Sequence, residues 1–102
     1  MIQAFQTETF ERGIRGLDGK FQKIAEKLRD EIIEDPLRNS LVMKADYRGL
    51  RRRGKGPIRI LYAYCKDCRQ RSDEIERGCP DCKDYPDEAV KFYYVGHRSS
   101  IY

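Results

Sequence analysis

The sequence predicts a small α+β domain in which two N-terminal helices pack on one face of a small antiparallel sheet of about four strands. Three observations carry this. Apolar residues recur at helical spacing only between residues 10 and 32, two-residue alternation appears only later, and a glycine- and proline-rich turn joins two alternating segments. With 102 residues, 39% hydrophobic and 37% charged, the chain has room for one domain over residues 1–102, with a small core under a densely charged surface. No apolar run approaches the length needed to span a bilayer, and Met1–Phe5 lacks a basic stretch followed by an apolar run. The expectation is a soluble, cytoplasmic protein.

Residues Ile2–Gln6 read as a short strand. Thr7 or Thr9 can cap a first helix, with Phe10, Ile14 and Leu17 on one face and with Gly13 and Gly16 weakening it. Asp18 is placed to cap the second helix, where Phe21, Ile24, Ala25, Leu28 and Ile32 form one stripe and Pro36 ends the run. Strands follow at Tyr47–Arg53 and Ile58–Tyr64, joined by Gly54-Lys55-Gly56-Pro57. In the second of them Ile58, Ile60, Tyr62 and Tyr64 share a face, opposite Arg59, Leu61 and Ala63. A last strand runs from Ala89 to Gly96. Between the last two strands, residues 65–88 show neither period and read as an insertion.

That insertion carries two CxxC pairs, Cys65-Lys66-Asp67-Cys68 and Cys79-Pro80-Asp81-Cys82. Four thiolates on two tight turns can close a tetrahedral shell, which suits one structural Zn2+ per chain in a zinc knuckle. Iron, two disulfides and redox chemistry are the competing readings, and a chain without a secretion signal disfavours the disulfides. A four-cysteine shell has no open position for water, so no catalytic metal is expected.

Charge is segregated along the chain. Residues 44–59 hold seven basic side chains (Lys44, Arg48, Arg51, Arg52, Arg53, Lys55 and Arg59) against Asp46 alone, a net of +6, whereas the whole chain carries +4. Such a stretch points to a phosphate-facing surface and hence RNA binding, with a solvated strand face as the bland alternative. His97, the single histidine, reads as structural beside a strand end.

The terminal Gly96-His97-Arg98-Ser99-Ser100-Ile101-Tyr102 resembles the GHRxxxY signature of the RelE/ParE toxin superfamily. The run from Arg51 to Tyr62, containing Arg59-Ile60-Leu61-Tyr62, resembles that family's hairpin, and Asp35-Pro36 closing the second helix also fits. The resemblance covers about 80 of the 102 residues, the cysteine segment being inserted where family members have a short turn. It implies the toxin of a prokaryotic toxin–antitoxin pair, partnered by an antitoxin protein. RelE-type members cut mRNA on the ribosome and so inhibit translation: the ribose 2′-OH attacks the adjacent phosphate, without a catalytic metal.

Carried over by motif, Arg59 and Arg98 take the phosphate-clamping positions and Tyr102 the C-terminal tyrosine position, used for stacking or proton transfer. Arg52, or a neighbour in its run, lies where ribosome-dependent members have basic residues. Those members tend to have lysines there; here the strand offers arginines, which stay protonated, so proton abstraction falls to Tyr102. Two other readings stay open: a ParE-like toxin that inhibits another target without cutting, and a noncatalytic zinc-stapled RNA-binding protein.

Overall fold

The computed structural model describes residues 2–43, 50–70, 86 and 88–98. In chain order they form β1 (Gln3–Gln6), α1 (Glu8–Arg15), α2 (Gly19–Glu34), β2 (Leu41–Val42), β3 (Arg51–Lys55), β4 (Ile58–Tyr64), α3 (Cys65–Gln70) and β5 (Ala89–His97). One five-stranded sheet has the order β1-β5-β4-β3-β2. It is mixed rather than antiparallel, because β1 runs parallel to β5 while the other neighbours are antiparallel. Side-chain alternation reveals a strand but not its partner, so the pairing of the first strand with the last was outside the reach of periodicity. β2, at two residues, is too short to alternate at all.

α1 is tied to β5 by one hydroxyl. Thr7 Oγ1 accepts from the Phe10 amide at 3.0 Å, capping the helix, and donates to the Tyr93 carbonyl at 3.0 Å. Gly13, expected to weaken α1, instead permits its close approach to the sheet. A Cβ there would lie 2.7 Å from the Val95 carbonyl oxygen and 2.8 Å from Val95 Cγ1. Gly13→Ala is therefore expected to lower stability by about 1–3 kcal/mol despite alanine's better helix propensity, read as a lower Tm in thermal unfolding.

α2 begins after Asp18, whose side chain makes no capping bond, and stops at Asp35 before Pro36. α1 packs on β5 and α2 on β3 and β4. The core between helices and sheet joins Phe10, Ala25, Leu28 and Ile32 to Ile58, Ile60, Tyr62, Val90, Phe92 and Val95. The predicted alternation of β4 is therefore realised. On the reverse face a smaller cluster, Ala63, Cys65 and Ala89, is flanked by Phe5, Leu50 and Tyr93.

β5 carries a bulge opposite Leu61 and Tyr62: Leu61 pairs with Tyr94, Tyr62 with Phe92, and Tyr93 is the extra residue. Phe92 and Val95 thus both reach the helix-side core, although they are three residues apart.

Two other expectations are corrected. β3 runs from Arg51 to Lys55, so Gly54 and Lys55 belong to the strand and the loop is Gly56-Pro57 alone. Gly56 has φ +57°, and a positive φ followed by proline's fixed negative φ matches the pattern of a type II′ hairpin turn. The segment expected to lack periodicity opens with α3, a helix too short for an apolar stripe to register. Lys44, Arg48, Cys79, Cys82 and Tyr102 lie outside the described residues. None of the described helices is long and apolar enough to cross a membrane.

Candidate nucleic-acid interface

The β3–β4 register divides the basic run between the two faces of the sheet. Arg51, Arg53 and Lys55 stand opposite Tyr62, Ile60 and Ile58, the residues buried under the helices. Arg52 and Gly54 stand opposite Leu61 and Arg59, facing away from the helices.

The helix-side three are committed within the molecule. Arg53 is 8% exposed, and its Nη1 donates to the carbonyls of Glu31 (3.3 Å) and Asp35 (3.0 Å). A guanidinium thus closes the C-terminal end of α2, where carbonyls lack helical partners and the dipole favours a cation. Arg51 grips Asp67 of α3 through two bonds, Nε to Oδ2 at 2.8 Å and Nη2 to Oδ1 at 3.0 Å. Its Nη1 also donates to Ser40 Oγ at 2.9 Å. Lys55 Nζ lies 3.1 Å from Glu31 Oε1. Arg51, Arg53 and Lys55, expected to contact RNA, thus each hold an internal partner: the two-residue period of a strand sends every second side chain of a charged run towards the helices.

The hydrogen bond from Lys55 holds the Glu31 carboxyl below its ordinary value of 4.5, with partial burial opposing and the charges of Lys55, Arg53 and Lys27 assisting. Because the folded value is lowered, the stabilisation is present above the ordinary value and fades as the pH falls through the lowered one. Lys55→Met is expected to move the Glu31 titration, followed by NMR, back up towards 4.5. Nearby, the Tyr62 hydroxyl donates to the Pro36 carbonyl, and burial pushes its pKa up, so the hydroxyl stays protonated at neutral pH.

On the other face, Arg59 curls onto the turn that precedes it. Its Nη1 donates to Gly56 O at 2.7 Å and Ile58 O at 2.9 Å. The guanidinium crosses directly over Gly54, where a Cβ would come within 2.6–2.8 Å of it. Arg52 and Arg59 border an open cleft of about 300 Å³ whose other lining residues are Asn39, Leu41, Gly54 and Gly56. Among the described residues that line it none is a carboxylate, and the two guanidinium groups suit an anion.

Arg98 follows β5 directly. Gly96 pairs with Arg59, and the Arg98 amide donates to the Pro57 carbonyl at 2.7 Å, so β5 delivers an exposed arginine to the hairpin end that bears Arg59. His97 stands opposite Ile58 and sets its ring edge-on to Phe21 at 5.9 Å, a packing position. Sequence reasoning missed Asn39, Leu41 and Gly54. The positive φ of Asn39 (53°) has no reliable one-residue signature, and Gly54 read as a turn glycine.

Of the four cysteines, Cys65 opens α3, 1% exposed, and Cys68 follows three residues later on the same short helix.

No family model matches the chain, and no curated protein matches it in sequence. Solved structures do match it over nearly their whole lengths. The chain is similar to a chain of the toxin–antitoxin complex RelBE2 from Mycobacterium tuberculosis, with a TM-score of 0.67, 18% identity, and coverage of 95% of this chain and 98% of that one. It is similar to YafQ from Escherichia coli, with a TM-score of 0.64, 9% identity, and coverage of 100% and 99%. It is also similar to a chain of the archaeal RelE–RelB complex from Pyrococcus horikoshii, with a TM-score of 0.59, 13% identity, and coverage of 97% of both. The fold is that of the RelE-like toxins.

Proposed function

We propose that this chain is the toxin of a toxin–antitoxin pair and acts as an endoribonuclease on ribosome-bound mRNA. The observation that carries the reading is the meeting of Arg59 and Arg98 at one end of the β4–β5 pair, on a RelE-like fold. Two guanidinium groups there suit a phosphate, whose oxygens gain negative charge as the ribose 2′-oxygen bonds to phosphorus. The bond from phosphorus to the 5′-oxygen breaks, the 2′-OH gives up its proton, and the leaving oxygen acquires one. Arginine stays protonated and cannot take that proton, so Tyr102 is assigned to it or to stacking the neighbouring base. Arg52 adds positive charge along the incoming strand.

A further proposal concerns the cysteines: Cys65, Cys68, Cys79 and Cys82 hold one structural Zn2+. A buried cysteine with a second one three residues later on α3 fits half of such a shell. Elemental analysis is expected to give one zinc per chain, and a stoichiometry near zero would defeat the idea. The partner is an acidic antitoxin segment that covers the Arg52–Arg59 face, recovered as a stable complex with the neighbouring gene product.

Induction in a bacterial host followed by primer extension on a translated message tests the main reading. Cleavage inside translated codons, absent from the same message when it is not translated, is the expected result. One observation favours a second reading: Lys55 is turned onto Glu31, so no lysine side chain of β3 or β4 faces away from the helices. Growth arrest with every message intact would assign the chain to the noncutting, ParE-like kind.

A further inference from the structure

We infer that the cleft between Asn39 and the β3–β4 hairpin is a nucleotide subsite in which Asn39 reads the edge of an RNA base. The inference rests on the ribonuclease reading and names part of its substrate recognition. The two arginines at the cleft mouth supply anion affinity, but charge alone cannot tell one nucleotide from another. A side-chain amide such as that of Asn39 can.

The Asn39 backbone has φ 53°, a left-handed geometry for which glycine is the least costly residue. Asn39 lines the cleft, and its side-chain amide carries both donors and an acceptor. The turn that bears it is held from two sides. Ser40 Oγ donates to the Leu37 carbonyl at 2.8 Å and accepts from Arg51 Nη1 at 2.9 Å. Arg51 is in turn locked by its two bonds to Asp67. Asn39 thus sits beside the hydrogen-bonded Ser40 and lines a cleft bordered by two arginines, a placement that suits recognition of a polar edge. Leu41, paired with Arg52 across β2 and β3, is 58% exposed and lines the same cleft. The cleft's size, about 300 Å³, is at the small end of ligand sites and suits a single nucleotide.

Nucleoside 3′-monophosphates of the four bases test this without any cleavage. Titrated into 15N-labelled protein, one of them should shift both the Asn39 side-chain amide and the Arg59 Nε signal, and bind about five- to tenfold more tightly than the weakest of the four. Inorganic phosphate should shift the arginine signal alone. Asn39→Gly keeps the left-handed backbone and removes the amide; it should level the four affinities while the melting temperature stays within a few degrees. Four equal affinities in the natural protein would overturn the inference. So would an Asn39 amide that none of the nucleotides moves, or a preference that survives Asn39→Gly. If the chain binds nucleotides selectively at Asn39 yet cuts no message, the ribonuclease reading fails and the subsite stands.

Discussion

Replacing Arg59 or Arg98 with alanine is expected to lower cleavage of ribosome-bound message by roughly a hundred- to a thousandfold, about 2.7–4 kcal/mol of transition-state stabilisation. The loss should fall on the rate and not on the fold. Among the described residues, Arg59 donates to the backbone carbonyls of Gly56 and Ile58, and the bond that holds Arg98 is made by its backbone amide, which alanine keeps. Far-UV circular dichroism and the melting temperature should therefore match those of the natural protein. Products should end in a 2′,3′-cyclic phosphate and should form in excess EDTA, because the charge on the phosphate is met by guanidinium groups. Lysine at either position keeps the charge but loses the fork, so Arg59→Lys should recover only part of the rate. Cleavage that persists in both alanine variants would remove these residues from the mechanism.

The largest stability effect is expected at Asp67. Its carboxylate and the Arg51 guanidinium are 9% and 15% exposed and share two hydrogen bonds. Asp67→Ala leaves the guanidinium poorly solvated without its counter-charge, a change that costs about 3–5 kcal/mol when the pair is buried. A domain of this size has only about 5–15 kcal/mol of total stability, so urea unfolding should shift to a much lower midpoint. Replacing both residues by apolar ones of similar size, Arg51→Met with Asp67→Leu, should restore most of the loss, because no charge is then stranded. If the double variant is as unstable as Asp67→Ala alone, the pair's partners on either side carry the effect instead. Asp67 also lies between Cys65 and Cys68, so the clamp joins the cysteine segment to the strand that bears Arg52.

Much of this was legible in the residues. The stripe from Phe21 to Ile32 with Pro36 after it defines α2, and the alternation from Ile58 to Tyr64 defines β4 and the face it buries. Both signals are local, since they follow from 3.6- and 2-residue periods. The basic run at 51–55 was equally visible as charge. Its division was not, because the direction in which each arginine points depends on the register between β3 and β4.

The sequence by itself therefore determined the helices, the central hairpin and the concentration of arginine on it. Only the tertiary structure decided which arginines turn towards the helices and which border the open cleft. Arg53 closes the end of α2 and Arg51 clamps α3, while Arg59 lies across a glycine beside a cleft completed by Asn39. The physical reason is that burial forces each inward charge to find a partner, and those partners lie 11 to 24 residues away in the chain. The same holds for β1, whose parallel partner β5 lies at the other end of the sequence. A pattern that spans a few residues cannot encode which distant carbonyl or carboxylate will arrive beside a given side chain; the packing of α2 and α3 against the sheet settles that.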